Sequence, residues 1–342
     1  RPDGAEIVWE WHLWDHLIQD FDSRKENYGD VAEHPERVDL NPTGHWLDRV
    51  SDEELEQLES LGYLGGDEEE EDEKKKQRGT TSADWLHTNA IAYNPELDQI
   101  ALSALGNNEI WVIDHSTTTD TAKTHAGGKR GKGGDILYRW GNPIAYRAGL
   151  EGDQKLFAQH NVHWIAKGLP GEGNLMIFNN GRGRSDGNYS TVDELIPPID
   201  KDGNYILEPG TPYGPEKPHW QYKAEGEFFS SFIYGMHRLP NGNTIICQGF
   251  DGTFFEVTPD KEIVWRFINP AVPIGIKGPN DKRAKKYGNF VFRVYRYGFD
   301  YPAFKGKDLT PGPILIDYVK ENPAVVPLEL PDEMKKKRKV FW

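Results

Sequence analysis

A four-strand unit recurs along this chain, and the recurrence leaves few folds open. Its clearest copy begins at His237, where His-Arg-Leu-Pro-Asn-Gly-Asn leads into an apolar strand over 244–247. A glycine-flanked turn follows at 249–252, an alternating strand at 253–258, a second turn at Pro259-Asp260, and a fourth strand at 262–267. Short antiparallel strands with turn residues at every junction make one blade of a β-propeller. Two earlier copies carry longer insertions, one running from Asn89 through 109–114 to 136–140, the other from His163 through 174–178 to the turn Asn179-Asn180-Gly181. The anchors Asn89, His163 and His237 are evenly spaced. A small aromatic motif also recurs at the outer strands. Ile7-Val-Trp-Glu-Trp11, Ile136-Leu-Tyr-Arg-Trp140 and Ile263-Val-Trp-Arg-Phe267 place rings at alternate positions, and His219-Trp-Gln-Tyr222 is a looser copy. Period-two alternation puts those rings on one face, where blades stack.

The fold expected is therefore all-β, a propeller of about three blades in this chain plus the closing strand of an earlier one at residues 6–11. A closed propeller needs roughly four to eight blades, so at least one is expected upstream of Arg1 or from another subunit. The expected divisions are 1–50, the end of an upstream blade and its connection; 51–83, an inserted segment; 84–150, 151–225 and 226–300, three blade units; and 301–342, a C-terminal extension. Within the insertion, Ser51 with Glu54 and apolar positions 55, 58 and 61 predict a short capped amphipathic helix. The acids at 67–73 and Lys74-Lys75-Lys76 read as a solvated linker. Contiguous like charges lack the alternating ligands of a calcium loop. Asp200-Lys-Asp-Gly203-Asn reads as a turn, and Lys335-Lys-Lys-Arg-Lys339 as a solvated tail.

Composition agrees with many short strands: 11 Trp, 15 Tyr and 15 Phe accompany 36 Gly and 23 Pro. The net charge of -15 argues against a nucleic-acid surface. The single cysteine, Cys247, permits no internal disulfide or multi-cysteine metal site, and its apolar run marks it as core. No apolar stretch reaches membrane-spanning length, and no signal peptide opens the chain.

The chemistry concentrates at the inner strands. His87, His160, His163 and His237 are placed at or just before the innermost strand of their units, where propeller strands converge on a central channel. Imidazoles there suit nucleophilic or acid–base work, Asn89 offers an amide donor, and Arg182 and Arg184 offer guanidinium forks for sulfate or phosphate oxygens. A zinc or iron site from channel histidines is an alternative, although His160 and His163, three apart, fall on opposite faces of a regular strand.

The segments carrying these residues resemble the arylsulfotransferase family, the bacterial aryl-sulfate sulfotransferases that use no nucleotide donor. The matching stretches are Asp84-Trp-Leu-His-Thr-Asn-Ala90, Asn108-Glu-Ile-Trp-Val-Ile-Asp114, Tyr138-Arg-Trp-Gly-Asn-Pro143, Gln159-His160, Phe178-Asn-Asn-Gly-Arg182 and Leu239-Pro-Asn-Gly-Asn-Thr244. The resemblance implies a six-bladed propeller, periplasmic or extracellular, with no cofactor. It implies sulfuryl transfer from an aryl sulfate to a phenol through a sulfohistidine. His160 then matches the nucleophile, and His87 and Asn89 match residues that hold the sulfuryl oxygens and assist proton transfer. His163, Arg182, Arg184, His237 and Arg293 are further candidates for the substrate site. One departure stands out: Leu105 occupies the position of the family's catalytic arginine. A propeller that binds a ligand or protein partner without catalysis is the alternative reading.

Overall fold

The computed structural model describes residues 4, 6–41, 85–224, 228–229, 233–272, 275–276, 289–313 and 317. The predicted helix at 51–61, the acidic run, the lysines 74–76 and the basic tail at 335–339 lie outside the described residues. The chain forms two compact units. The first holds the N-terminal segment and two four-stranded sheets; the second holds a third such sheet and residues 289–313.

In the first unit, β1 (Leu17–Ile18) pairs in parallel with β2 (Val38–Asp39). The first large sheet runs β3 (Thr88–Asn94), β4 (Gln99–Ala104), β5 (Glu109–Asp114) and β6 (Tyr138–Trp140), each antiparallel to the next. The second runs β7 (His160–Trp164), β8 (Leu175–Asn179), β9 (Thr191–Leu195) and β10 (Trp220–Lys223), again in simple meander order. Both are blade-like sheets, as the turn chemistry predicts. Every residue of β4, β5, β8 and β9 is buried, so their polar members, such as Glu109 and Asp193, are buried with the apolar ones.

Alternation decides which core each ring joins. Ile110, Val112, Tyr138 and Trp140 turn toward the second sheet, where Val162, Trp164, Leu175 and Ile177 meet them. Trp111 and Ile113 take the opposite face and pack with Ile100, Leu102, Leu17 and Val38. The insertion between β9 and β10 closes over the first core: Tyr138 Oη donates to the Gly214 carbonyl at 2.8 Å, and Trp140 Nε1 to the Pro215 carbonyl at 2.8 Å. Its segment Asp200–Asn204 is the expected tight turn, with Asp200 Oδ1 accepting from the backbone N–H of Asp202 and of Asn204.

One predicted strand is absent. Residues 6–12 have no ladder partner among the described residues and run as irregular chain before a 3-10 turn at Leu13–His16. Their aromatics bond through side chains instead. Trp9 Nε1 donates to Thr117 Oγ1 at 3.3 Å, and Trp11 Nε1 to the Gly134 carbonyl at 2.7 Å, so the segment lies on the β5–β6 connection.

In the second unit, β11 (Tyr234–Arg238), β12 (Thr244–Gln248), β13 (Thr253–Val257) and β14 (Ile263–Ile268) repeat the meander. The three later strands fall where the sequence predicts. The first starts at Tyr234, three residues ahead of the expected anchor. Cys247 is fully buried, its Sγ lies 3.5 Å from the Val291 carbonyl, and burial pushes the thiol up to about 12, as suits a core residue.

Candidate functional site

The approach to β7 is stitched to the first sheet and to β8 by amide side chains. Asn108 Oδ1 accepts from Ala158 N at 2.7 Å, and Asn179 Oδ1 accepts from Phe157 N at 2.9 Å. Gln159 is fully buried; its Nε2 donates to the Glu109 carbonyl at 2.6 Å and the Ala104 carbonyl at 3.1 Å. Asn89 Nδ2 donates to the Gln159 carbonyl at 2.8 Å. These bonds replace ladder bonds that the chain lacks here, since Ala158 and Asn161 both take positive φ, 55° each, and His87 takes 42°.

His160 opens β7 and is buried to 1% exposure. Its Nδ1 lies 3.2 Å from the Ala158 carbonyl and 2.8 Å from Asn180 Oδ1. A carbonyl only accepts, so Nδ1 carries the hydrogen and donates to both. In the neutral ring, Nε2 therefore holds the lone pair. This is the tautomer an imidazole nucleophile needs.

The other predicted residues are distributed as follows. His163 is on β7, half-buried, and donates from Nδ1 to the Asn161 carbonyl at 3.0 Å. The β7–β8 register shifts between His160, opposite Phe178, and His163, opposite Met176. That bulge restores the parity, so the two histidines share a face, contrary to the regular-strand expectation. Asn89 is the extra residue of a second bulge, between Thr88 and Ala90, with its Oδ1 buried and unbonded among the described residues. His87 is half-buried just ahead of β3. Arg182 is buried two residues beyond Asn180, the partner of His160. Arg184 lies over the rings of Phe157 (5.0 Å) and Tyr189 (4.5 Å) and donates to Thr191 Oγ1 at 3.4 Å. Burial pushes the nearby Asp193 carboxyl up, against the Gln221 amide and the Arg184 charge. Leu105 is buried in the β4–β5 turn.

His237 and Arg293 belong to the second unit. His237 is the fourth residue of β11, as His163 is of β7, so it is not at a strand start as expected. Its Nε2 accepts from Arg296 N at 3.3 Å, and its ring lies 5.6 Å from that of Tyr295. Arg293 packs beside Gly235, where a Cβ would stand 3.2 Å from the arginine Cγ.

Sequence reading missed Asn180 and Gln159 as positioning groups. Asn-Asn-Gly carries an ordinary turn signature, and nothing in spacing shows that one amide reaches back to an imidazole twenty residues earlier. It also missed the buried pair of Glu109 and Arg139. Arg139 Nε donates to Glu109 Oε1 at 2.7 Å and Nη2 to Oε2, while Nη1 donates to the Pro35 and Arg37 carbonyls at 3.1 and 2.8 Å. Trp111 Nε1 adds a bond to Glu109 at 3.0 Å. Burial pushes the Glu109 carboxyl up even against the pull of Arg139. The pair ties residues 35–37 to the strand whose Glu109 carbonyl receives Gln159.

Several solved structures are similar to parts of this chain. A protein of unknown function from Bacteroides caccae is 11% identical with a TM-score of 0.29, covering 53% of this chain and 45% of its own. A streptogramin B lyase is 13% identical with a TM-score of 0.29, covering 54% and 42%. BamB from Moraxella catarrhalis is 10% identical with a TM-score of 0.26, covering 55% and 37%. The chain thus spans less than half the length of those it resembles. No curated protein matches it. Among the described residues, no helix is long and apolar enough to cross a membrane. The arylsulfotransferase (ASST) family model matches residues 3–270, through all three blade-like sheets, and the chain belongs to that family.

Proposed function

We propose that the protein transfers a sulfuryl group from an aryl sulfate to a phenolic acceptor, with His160 as the nucleophile. The observation that carries this reading is the bonding of His160 Nδ1 to Asn180 Oδ1 and the Ala158 carbonyl, which fixes the hydrogen on Nδ1 and the lone pair of the neutral ring on Nε2. In the first half, Nε2 bonds to sulfur, the S–O bond to the aryl group breaks, and the departing phenolate takes a proton. In the second half, an acceptor phenol loses its proton, its oxygen bonds to sulfur, and the N–S bond breaks. Family membership supports the chemistry. Asn180 and Ala158 also stabilise the ring as it becomes positively charged on attack. His87 and Asn89 are assigned to the sulfuryl oxygens and proton transfer. Arg182 is assigned the anion-binding role that Leu105 cannot fill, with His163 and Arg184 as further binding groups. No cofactor is required, the blades are part of a six-bladed whole, and the protein acts in the periplasm or outside the cell.

Leu105 favours a second reading, a propeller that binds a ligand without turning it over, because a buried leucine offers no charge to a sulfate. Incubation with 4-nitrophenyl sulfate and a phenol, beside a His160→Ala variant, separates the two. Nitrophenol release that depends on acceptor and is lost in the variant supports transfer through His160. Absence of release across several aryl sulfates from folded protein refutes it.

A further inference from the structure

A second cluster of chemically capable groups lies in the first unit, on segments that sulfuryl transfer does not use. His16 ends the 3-10 turn and is fully buried; Asp135, just ahead of β6, is 2% exposed; His125 sits half-exposed in the long β5–β6 connection. One carboxylate oxygen joins them. Asp135 Oδ1 is 2.8 Å from His16 Nδ1 and 2.8 Å from His125 Nδ1. The three ligand atoms lie within 4.8 Å of one another.

The other nitrogen of His16 decides what this arrangement is for. His16 Nε2 is 2.8 Å from the Ala122 carbonyl, which only accepts, so Nε2 carries the hydrogen. The neutral ring then points its Nδ1 lone pair at a carboxylate oxygen. Two lone pairs facing each other in a buried place call for a cation between them, a proton or a metal ion. An imidazole whose far N–H is held by a backbone carbonyl is also the orientation in which proteins present histidine to metals. The surroundings hold this geometry. Trp11 stacks on His16 with ring centroids 5.2 Å apart and planes 2° apart, and bonds to Gly134. At Gly134 a Cβ would stand 2.0 Å from the Ala122 oxygen and 2.8 Å from His16 Nε2, so only glycine lets that carbonyl reach the ring.

We infer that His16, His125 and Asp135 bind one divalent transition metal ion, zinc above others, which ties the N-terminal segment to the β5–β6 connection. Two imidazoles and one carboxylate suit zinc and disfavour calcium or magnesium, which want oxygen donors. Tetrahedral zinc sets its ligand atoms about 3.3 Å apart, so binding opens each 2.8 Å contact slightly. The half-exposed side of His125 leaves room for water as the fourth ligand.

The test uses untagged full chain, stripped with chelator and returned to zinc-free buffer. Metal per chain is measured after adding zinc and dialysing, and Tm is measured with zinc and with chelator. Retention of about one zinc per chain and a Tm rise on the order of a few degrees are expected. Both should be lost in His125→Ala, whose fold is checked by circular dichroism, with His125→Gln used if alanine disturbs it. Zinc-free protein whose Tm ignores zinc overturns the site and leaves a triad held by protons. Equal zinc in the His125 variant and the parent overturns it as well.

Discussion

Replacing Arg139 by methionine should cost about 3–5 kcal/mol of folding free energy, the range for removing one partner of a buried ion pair. The figure follows from what the side chain holds. Arg139 is fully buried, bonds both oxygens of Glu109, bonds the Pro35 and Arg37 carbonyls, and lies 4.4 Å over the Tyr146 ring. Methionine keeps much of the aliphatic volume and the contact with that ring, so lost packing is a minor part. What remains is Glu109 with the neutral donors Trp111 and Asn107 and no charge beside it, and two carbonyls without their guanidinium donor. Each orphaned acceptor costs about 1–3 kcal/mol. Glu109, already pushed up by burial, is pushed up further once the Arg139 charge is gone, and a neutral carboxyl there holds the total below the sum of those parts. Against a total stability of about 5–15 kcal/mol, the loss is plain in a urea titration followed by tryptophan fluorescence, since Trp111 bonds directly to Glu109. The companion variant Arg139→Met/Glu109→Leu removes the stranded carboxyl. It should be more stable than Arg139→Met alone, by about 2 kcal/mol. A single variant that loses less than about 1 kcal/mol, or a double variant that loses the sum of its singles, would refute the reasoning.

Gly181→Ala should destabilise the first unit by about 2 kcal/mol or more, because φ there is 78° and a Cβ would stand 1.7 Å from the Tyr189 carbonyl oxygen. The displaced turn carries Asn180, so the proposed sulfuryl transfer should fall further than stability alone explains; wild-type turnover from the folded fraction would sink this. In the second unit, burial pushes the Glu256 carboxyl up, but the amides of Asn243 and Asn241 and the Arg296 charge outweigh it and hold the group below its ordinary 4.5. Its stabilising contribution is therefore present above that value and lost as pH falls through the lower folded value. Chemical denaturation across acid pH should show the second unit weakening there, and Glu256→Gln should flatten that slope; an unchanged slope would count against it.

The blades were legible because turn chemistry and period two act locally. Asn94-Pro-Glu-Leu-Asp98 separates β3 from β4, and Leu239-Pro-Asn-Gly-Asn243 separates β11 from β12, whatever lies around them. Residues 6–11 show where that locality ends. Alternating aromatics are compatible with a strand or with an extended segment docked by its side chains, and only a partner decides. Trp9 and Trp11 found Thr117 and the Gly134 carbonyl instead. His237 was misplaced for a related reason. The apolar start of β11 at Tyr234 has no turn signal in front of it, so the sequence marks only the hairpin end of the strand, beside His237.

The site was half legible, and the hidden half has one cause. His160, His87 and Asn89 could be nominated by residue type and by resemblance, but what positions them for their proposed roles is backbone that departs from the strand. His87, Ala158 and Asn161 each hold positive φ, and both inner strands carry a bulge near their starts. Each such residue costs about 1–3 kcal/mol unless its surroundings impose it. Here the amides of Asn89, Asn108, Gln159 and Asn179 impose it, each bonding backbone two or more residues away in β3–β5 or the approach to β7. A regular strand would have bonded those groups by ladder and sent His160 and His163 to opposite faces. The irregular one turns His160 Nδ1 onto Ala158 and Asn180 and so selects the tautomer. Periodicity finds a sheet by its regularity, so it passes over a site made where regularity is broken and held open by side chains.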